Sequence, residues 1–204
     1  MPHVGILGAT GYAGLELTRI LLQHPGVEQL HASSVSFEGK SLDDVYPSLF
    51  NRPAGWELPP LEKPEKVIEE SDVLFSCLPH GHAETAAKRC FDAGKLFIDI
   101  SADFRFGMHE DLFRKWYGEG YRFPDLHAAA VYGLPELHRD QIRKARLIAN
   151  PGCYPTSAEL GLMPALEAGI ADLDSIVITS MSGVTGAGRE PSQTTHYPEA
   201  SDAV

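Results

Sequence analysis

The sequence predicts an α/β protein built on a parallel sheet. Three observations predict it: an apolar strand that runs into a glycine-spaced turn and a helix, further short apolar strands alternating with helical patterns, and a globular composition. Of 204 residues, 43% are hydrophobic and 22% charged, which sets the chain apart from disordered tails and membrane proteins. That length suits one full domain and part of a second.

Residues 3–7 form the first strand. The helical pattern over residues 12–23 follows, carried by Leu15, Leu17, Ile20, Leu21 and Leu22. Residues 27–33, 73–77 and 96–100 read as strands, with a helix over 83–93 between the last two. Such alternation implies a parallel sheet covered by helices on both faces. The proline- and glycine-containing stretch 37–64 reads as loop and irregular structure. Short strands are expected at 129–132 and 147–149, a helix at 156–168 and a strand at 175–182, before a Ser/Thr/Gly-rich end.

With 28 acidic and 17 basic residues the net charge is -11, which argues against a broad nucleic-acid surface and requires any bound anion to be held locally. Cys77, Cys90 and Cys153 are odd in number and lack CxxC spacing, so neither a disulfide framework nor a thiolate metal site is expected, and a reducing cytoplasm suits them. No secretory leader is visible, and no stretch approaches the roughly 20 apolar residues that cross a bilayer.

The turn Gly8-Ala-Thr10-Gly11-Tyr12-Ala13-Gly14 lies where strand meets helix, the position of a dinucleotide-binding turn in a Rossmann-type domain. Glycines there allow positive φ and close approach of backbone to a pyrophosphate, and the helix start offers unpaired N–H groups. The spacing is GxxGxxG rather than GxGxxG, so placement carries more weight than pattern. The second strand ends Leu30-His31-Ala32-Ser33-Ser34, without the acidic residue that holds the ribose hydroxyl of NAD. Hydroxyls at Ser33 and Ser34, with Lys40 beyond, point to the 2′-phosphate of NADP.

Asn150-Pro151-Gly152-Cys153 places a thiol after a strand and at the start of a helix, where partial positive charge favours thiolate. Pro151-Gly152 makes a sharp turn that exposes the sulfur, as a nucleophile requires. Cys77, in a central strand, and Cys90, on a helix, read as small buried hydrophobes. His80 and His82 lack a carboxylate or thiol at ligand spacing, so no metal is expected from them.

Six ordered segments then carry a resemblance: GATGYAG at 8–14, LPHG at 78–81, DISADFR at 99–105, VYGLPEL at 131–137, NPGCYPT at 150–156 and SGVTGAGR at 182–189. Together they resemble the N-acetyl-gamma-glutamyl-phosphate reductase family, relatives of aspartate-semialdehyde dehydrogenase. The resemblance implies a dinucleotide-binding domain over 1–149 and, over 150–204, the beginning of an α+β substrate domain. It implies reduction of a small-molecule acyl phosphate with NADPH in arginine biosynthesis, with Cys153 forming a thioester, and apolar surface left uncovered on 150–204 points to a homo-oligomer. Pro79, Ser182 and Gly183 are then expected beside the cofactor, and Arg105, Asn150 and His196 beside the substrate. Arg105 reads equally well as a structural ion pair.

Family members carry a general acid/base histidine in a later HRHxPEIEQ segment that nothing here resembles, and His196 matches a different position. The chain is therefore expected to be part of a longer catalytic unit. Two alternatives stay open: an aspartate-semialdehyde dehydrogenase, and a non-catalytic NADP-binding module.

Overall fold

The computed structural model describes residues 1–51 and 57–200. The chain divides into two compact units, Met1–Pro151 and Gly152–Val204. Residues 52–56 of the stretch read as loop, and 201–204, lie outside the described residues.

In the first unit the strands are β1 (His3–Leu7), β2 (Gln29–Ser33), β3 (Leu61–Glu62), β4 (Val73–Ser76), β5 (Leu96–Asp99), β6 (Val131–Tyr132) and β7 (Leu147–Ala149). Their helices are α1 (Tyr12–Leu21), α2 (Leu42–Val45), α3 (Pro64–Glu70), α4 (Ala83–Asp92), α5 (Glu110–Tyr117), α6 (Pro124–Ala129) and α7 (Pro135–Ile142). All pairings are parallel and the sheet order is β3-β2-β1-β4-β5-β7-β6. The order reverses at β1, and beside the carboxyl ends of the strands at such a switch point a ligand crevice opens.

Both faces of the sheet are covered, as uninterrupted apolar strands require. Val4 and Ile6 of β1 pack with Leu21, Ala32, Leu42 and Leu61 on one face. Leu7 lies on the other with Val67, Leu74, Phe97 and Leu147. Gly5 is enforced by α3, because a Cβ there would lie 2.5 Å from Ser71 Oγ and 2.8 Å from Val67 Cγ1.

Register determines where the site is built. Leu7 is paired with Ser33 and Ser76, Ser76 with Asp99, and Asp99 with Ala149, so these five residues form one row at the carboxyl edge. Backbone bonds extend the row by one residue: Ala9 N donates to Ser33 O, Cys77 N to Leu7 O, Ile100 N to Ser76 O and Asn150 N to Asp99 O.

The predicted loop over 37–64 contains two short helical pieces and β3, whose two residues are too brief to show periodicity. Helices α3, α5, α6 and α7 also lie where no element was expected. Three of them begin with Pro at the first helical position, where the missing N–H costs nothing.

The second unit consists of α8 (Cys153–Glu167), three 3-10 turns and α9 (Tyr197–Ala200). The expected strand over 175–182 is absent. Only its first residue is in regular structure, ending the turn Leu173–Ser175, and Val177 and Ile178 are exposed. A strand needs neighbouring backbone to accept its N–H groups, and among the described residues this segment has no such partner. No described helix is long and apolar enough to cross a membrane.

Candidate functional site

The glycine turn closes β1 onto α1 with little room to spare. Gly8 has φ +79°, and a Cβ on it would sit 2.8 Å from Cys77 O. A Cβ on Gly14 would fall 2.5 Å from Gly8 O and 2.7 Å from Ala9 Cα, so only glycine lets the helix approach the turn. Gly11 caps α1 through its backbone alone, and its carbonyl accepts from Leu15 N. The N–H groups of Tyr12, Ala13 and Gly14 therefore precede the helical ladder, which is where a pyrophosphate is received. A hydrogen-bonded tie between Thr10 Oγ1 and Ser34 Oγ (3.0 Å) and another from Tyr46 Oη to Thr10 O (2.8 Å) hold the turn.

The hydroxyls expected to meet a 2′-phosphate are placed differently from the sequence expectation. Ser33 is fully buried, and Ser34 is buried and tied to Thr10. They shape the turn from within. Exposed positions beyond β2 include Ser36, Glu38 and Lys40, the last with its ammonium 5.6 Å from the Phe37 ring centroid.

Beside this turn, the segment after β4 is braced by the one after β5. Asp103, fully buried, accepts from Gly81 N (2.8 Å) and Ala83 N (2.9 Å), which supplies acceptors at the start of α4. His80 Nδ1 accepts from Ala102 N at 3.2 Å. That nitrogen is engaged, and His80 is half of the histidine pair considered above for a metal. Pro79 is exposed on the same segment. Asp99, also fully buried, accepts from Ser101 N and Ser101 Oγ, and burial, reinforced by the nearby Asp103 charge, pushes its carboxyl up to about 6 against the ordinary 3.8.

Arg105 donates from Nε to Asn150 O and from Nη2 to Ile100 O, both at 2.8 Å. Its guanidinium thus ties the chain leaving β5 to the chain leaving β7. Two of its donors are committed to backbone carbonyls rather than to the carboxylate of the ion pair that the sequence offered as an alternative. The side-chain amide of Asn150 donates to Pro151 O at 3.0 Å.

A further buried group was not anticipated. Glu84 on α4 accepts from Arg122 N and Phe123 N, and its Oε2 lies 3.5 Å from Nε2 of His127, a buried ring stacked on Tyr121. Burial lowers the His127 pKa against the raising effect of Glu84, and burial pushes the Tyr121 phenol up to about 12. These residues anchor the connection between α5 and α6. They are separated by 37 to 43 positions from Glu84, beyond the reach of any local motif.

In the second unit, Cys153 is the first residue of α8 and is exposed. Gly152 caps the helix without a side-chain bond, and its carbonyl accepts from Thr156 N and Thr156 Oγ1. The N–H groups of Cys153 and Tyr154 are left at the helix start, whereas Pro155 has none. The other two thiols are disfavoured as thiolates by their surroundings. Cys77 is pushed up to about 12 by burial and then by Asp99, and Cys90 to about 11 by burial, so neither supplies a thiolate at neutral pH. Ser182 and Gly183 are exposed before the turn Val184–Ala187, and His196 is exposed after the turn Gln193–Thr195.

The switch-point sheet and its cramped glycine turn define a dinucleotide-binding domain. Residues 3–145 match the model of the semialdehyde dehydrogenase NAD binding domain, and residues 153–204 match that of the semialdehyde dehydrogenase dimerisation domain. The chain belongs to the semialdehyde dehydrogenase family. Among curated relatives, N-acetyl-gamma-glutamyl-phosphate reductase of Clostridium beijerinckii is 47% identical over 99% of this chain and 57% of its own length. The protein of the same name from Brachyspira hyodysenteriae is 44% identical over 100% of this chain and 58% of its own. The chain thus spans under two thirds of these relatives. Aspartate semialdehyde dehydrogenase II of Vibrio cholerae, complexed with ASA, shares the fold at TM-score 0.58 and 21% identity, over 82% of this chain and 47% of that one. The Candida albicans enzyme with NADP does so at TM-score 0.58 and 19% identity, over 84% and 48%.

Proposed function

We propose that this chain is the cofactor-binding and nucleophile-bearing part of an NADPH-dependent reductase that converts N-acetyl-glutamyl 5-phosphate to N-acetylglutamate 5-semialdehyde in arginine biosynthesis. The observation that carries the reading is Cys153, an exposed thiol on the first turn of a 15-residue helix, within a chain 44–47% identical to relatives bearing that name.

Cys153, exposed at the start of α8, attacks the acyl carbon through its sulfur. The bond from that carbon to the phosphate oxygen breaks, phosphate leaves, and a thioester joins substrate to Cys153. When bound, the reduced nicotinamide supplies the hydride that turns the thioester into aldehyde. Cys153 then leaves as thiolate, ready for another substrate. Gly8, Gly11 and Gly14, with the amides of Tyr12 and Ala13, receive the pyrophosphate, and Pro79, Ser182 and Gly183 serve the nicotinamide. Ser36 and Lys40, exposed after a strand end free of acidic residues, suit the extra phosphate of NADP. Arg105 and Asn150 hold the chain that leads to the nucleophile, and His196 faces substrate. The protein works as a homo-oligomer in the cytoplasm.

The test is phosphate-dependent oxidation by the protein of N-acetylglutamate semialdehyde against aspartate semialdehyde, with NADP and NAD as acceptors. The reading predicts preference for the acetylated substrate and for NADP. Activity with aspartate semialdehyde alone would overturn the substrate assignment, and NADP binding without turnover of either would favour a non-catalytic module.

A further inference from the structure

On the β3 side of the sheet, β2, β3 and α3 bring together three ligand-bearing side chains that no local motif connects. His31 of β2, Glu62 of β3 and Glu70 at the end of α3 each offer one atom within 4.8 Å of the others. His31 is 6% exposed, with its ring stacked on His3 at 5.7 Å. Its Nε2 is buried without a hydrogen-bond partner, and its Nδ1 lies 3.4 Å from Glu70 Oε2 and 3.9 Å from Glu62 Oε2. Those separations are long for hydrogen bonds. They are close to the spacing of two ligand atoms on one tetrahedral ion, about 3.4 Å for bonds of about 2.1 Å.

The three groups line a cleft of about 470 Å³, which gives an ion a path from solvent. Glu28 and Glu57 also face the cleft, and among its described lining residues Lys66 is the one lysine or arginine. The Lys66 ammonium contacts Glu62 Oε1 and stands 3.9 Å from Glu70 Oε1, where it balances the two carboxylates that a metal would use.

The geometry points to a binding site for a divalent transition-metal ion of the zinc class, formed by His31, Glu62 and Glu70, with the Lys66 ammonium as its competitor. An imidazole with two carboxylates suits such an ion better than the all-oxygen sets of calcium or magnesium. Coordination would fasten β2 to β3 and α3. Because Ser34 N donates to Glu62 O, the same ion would brace the strand end from which Ser34 reaches the glycine turn.

Isothermal titration of the chelator-treated protein with Zn²⁺ tests the site through three forms: unsubstituted, Glu70→Gln and Lys66→Met. Glu70 is 43% exposed in its side chain, so the amide removes a ligand without opening the core. The expected result is one equivalent bound, an affinity at least about tenfold weaker in E70Q, and several-fold tighter binding in K66M. The site does not exist if Zn²⁺ fails to bind at about millimolar concentration, or if E70Q binds as tightly as the unsubstituted protein, which would place the ion elsewhere, Cys153 included. K66M binding no tighter would overturn the competition.

Discussion

In Met1–Pro151 the side chains of Leu7, Leu74 and Phe97 are at most 1% exposed between paired strands and covering helices, whereas in Gly152–Val204 Ile170, Val177 and Met181 stand at 79%, 87% and 86%. Apolar residues are present in both regions, so composition does not separate them. The difference is supply of neighbours. Seven parallel strands satisfy one another's backbone and present two faces to helices, while α8 and the turns after it bury no residue fully. Precise geometry at the glycine turn follows from the first condition. An exposed apolar surface follows from the second, in residues that match the model of a dimerisation domain.

The comparison breaks most easily at Phe97. Phe97→Ala should cost about 3–5 kcal/mol in chemical denaturation, through lost burial and a cavity in a core with no slack. A cost below about 1 kcal/mol would mean that the sheet is not the stabilising core. Asp103→Ala comes next, at about 3 kcal/mol, because Gly81 N and Ala83 N lose a charged acceptor inside the protein. Asp103→Asn should recover part of it, since one oxygen still accepts.

Asp99 sharpens the account through pH. Its folded-state value of about 6 exceeds the ordinary 3.8, so folding binds its proton more tightly. That contribution is fully present below about pH 4 and fades as pH rises through about 6, an effect of about 2–3 kcal/mol. Asp99→Asn should flatten this part of the stability profile and raise stability near pH 7. A profile identical in both proteins would show that Asp99 titrates normally. The smallest effect belongs to Val177→Ala in the 204-residue chain, within about 0.5 kcal/mol, since an exposed side chain has no packing to lose. A larger loss would reveal a partner surface over residues 175–182.

How much of this was legible in the sequence depended on how locally each feature is encoded. β1, the glycine turn and α1 are contiguous, and φ +79° at Gly8 with the close approach at Gly14 are what that spacing predicts. The thiol at the start of α8 was legible for the same reason, as turn residues precede a helical pattern. β3 was not, because two residues carry no period. The Asp103 cap, the Arg105 tie across 45 positions and the Glu84–His127 pair rest on side chains brought together by sheet order alone. The metal-type cluster is invisible for the same reason, with 31 positions between His31 and Glu62. The strand over 175–182 failed in the opposite direction. Its residues have strand propensity, but propensity without a partner does not make a sheet.

The central claim is that the Cys153 sulfur becomes covalently joined to substrate. Mass spectrometry of the protein mixed with N-acetyl-glutamyl phosphate in the absence of reduced cofactor tests it directly. The account predicts an N-acetyl-glutamyl adduct on the peptide containing Cys153, absent in Cys153→Ser, whose turnover falls by about 10⁴-fold or more. Turnover undiminished in Cys153→Ser, or an adduct carried by another residue, would contradict it.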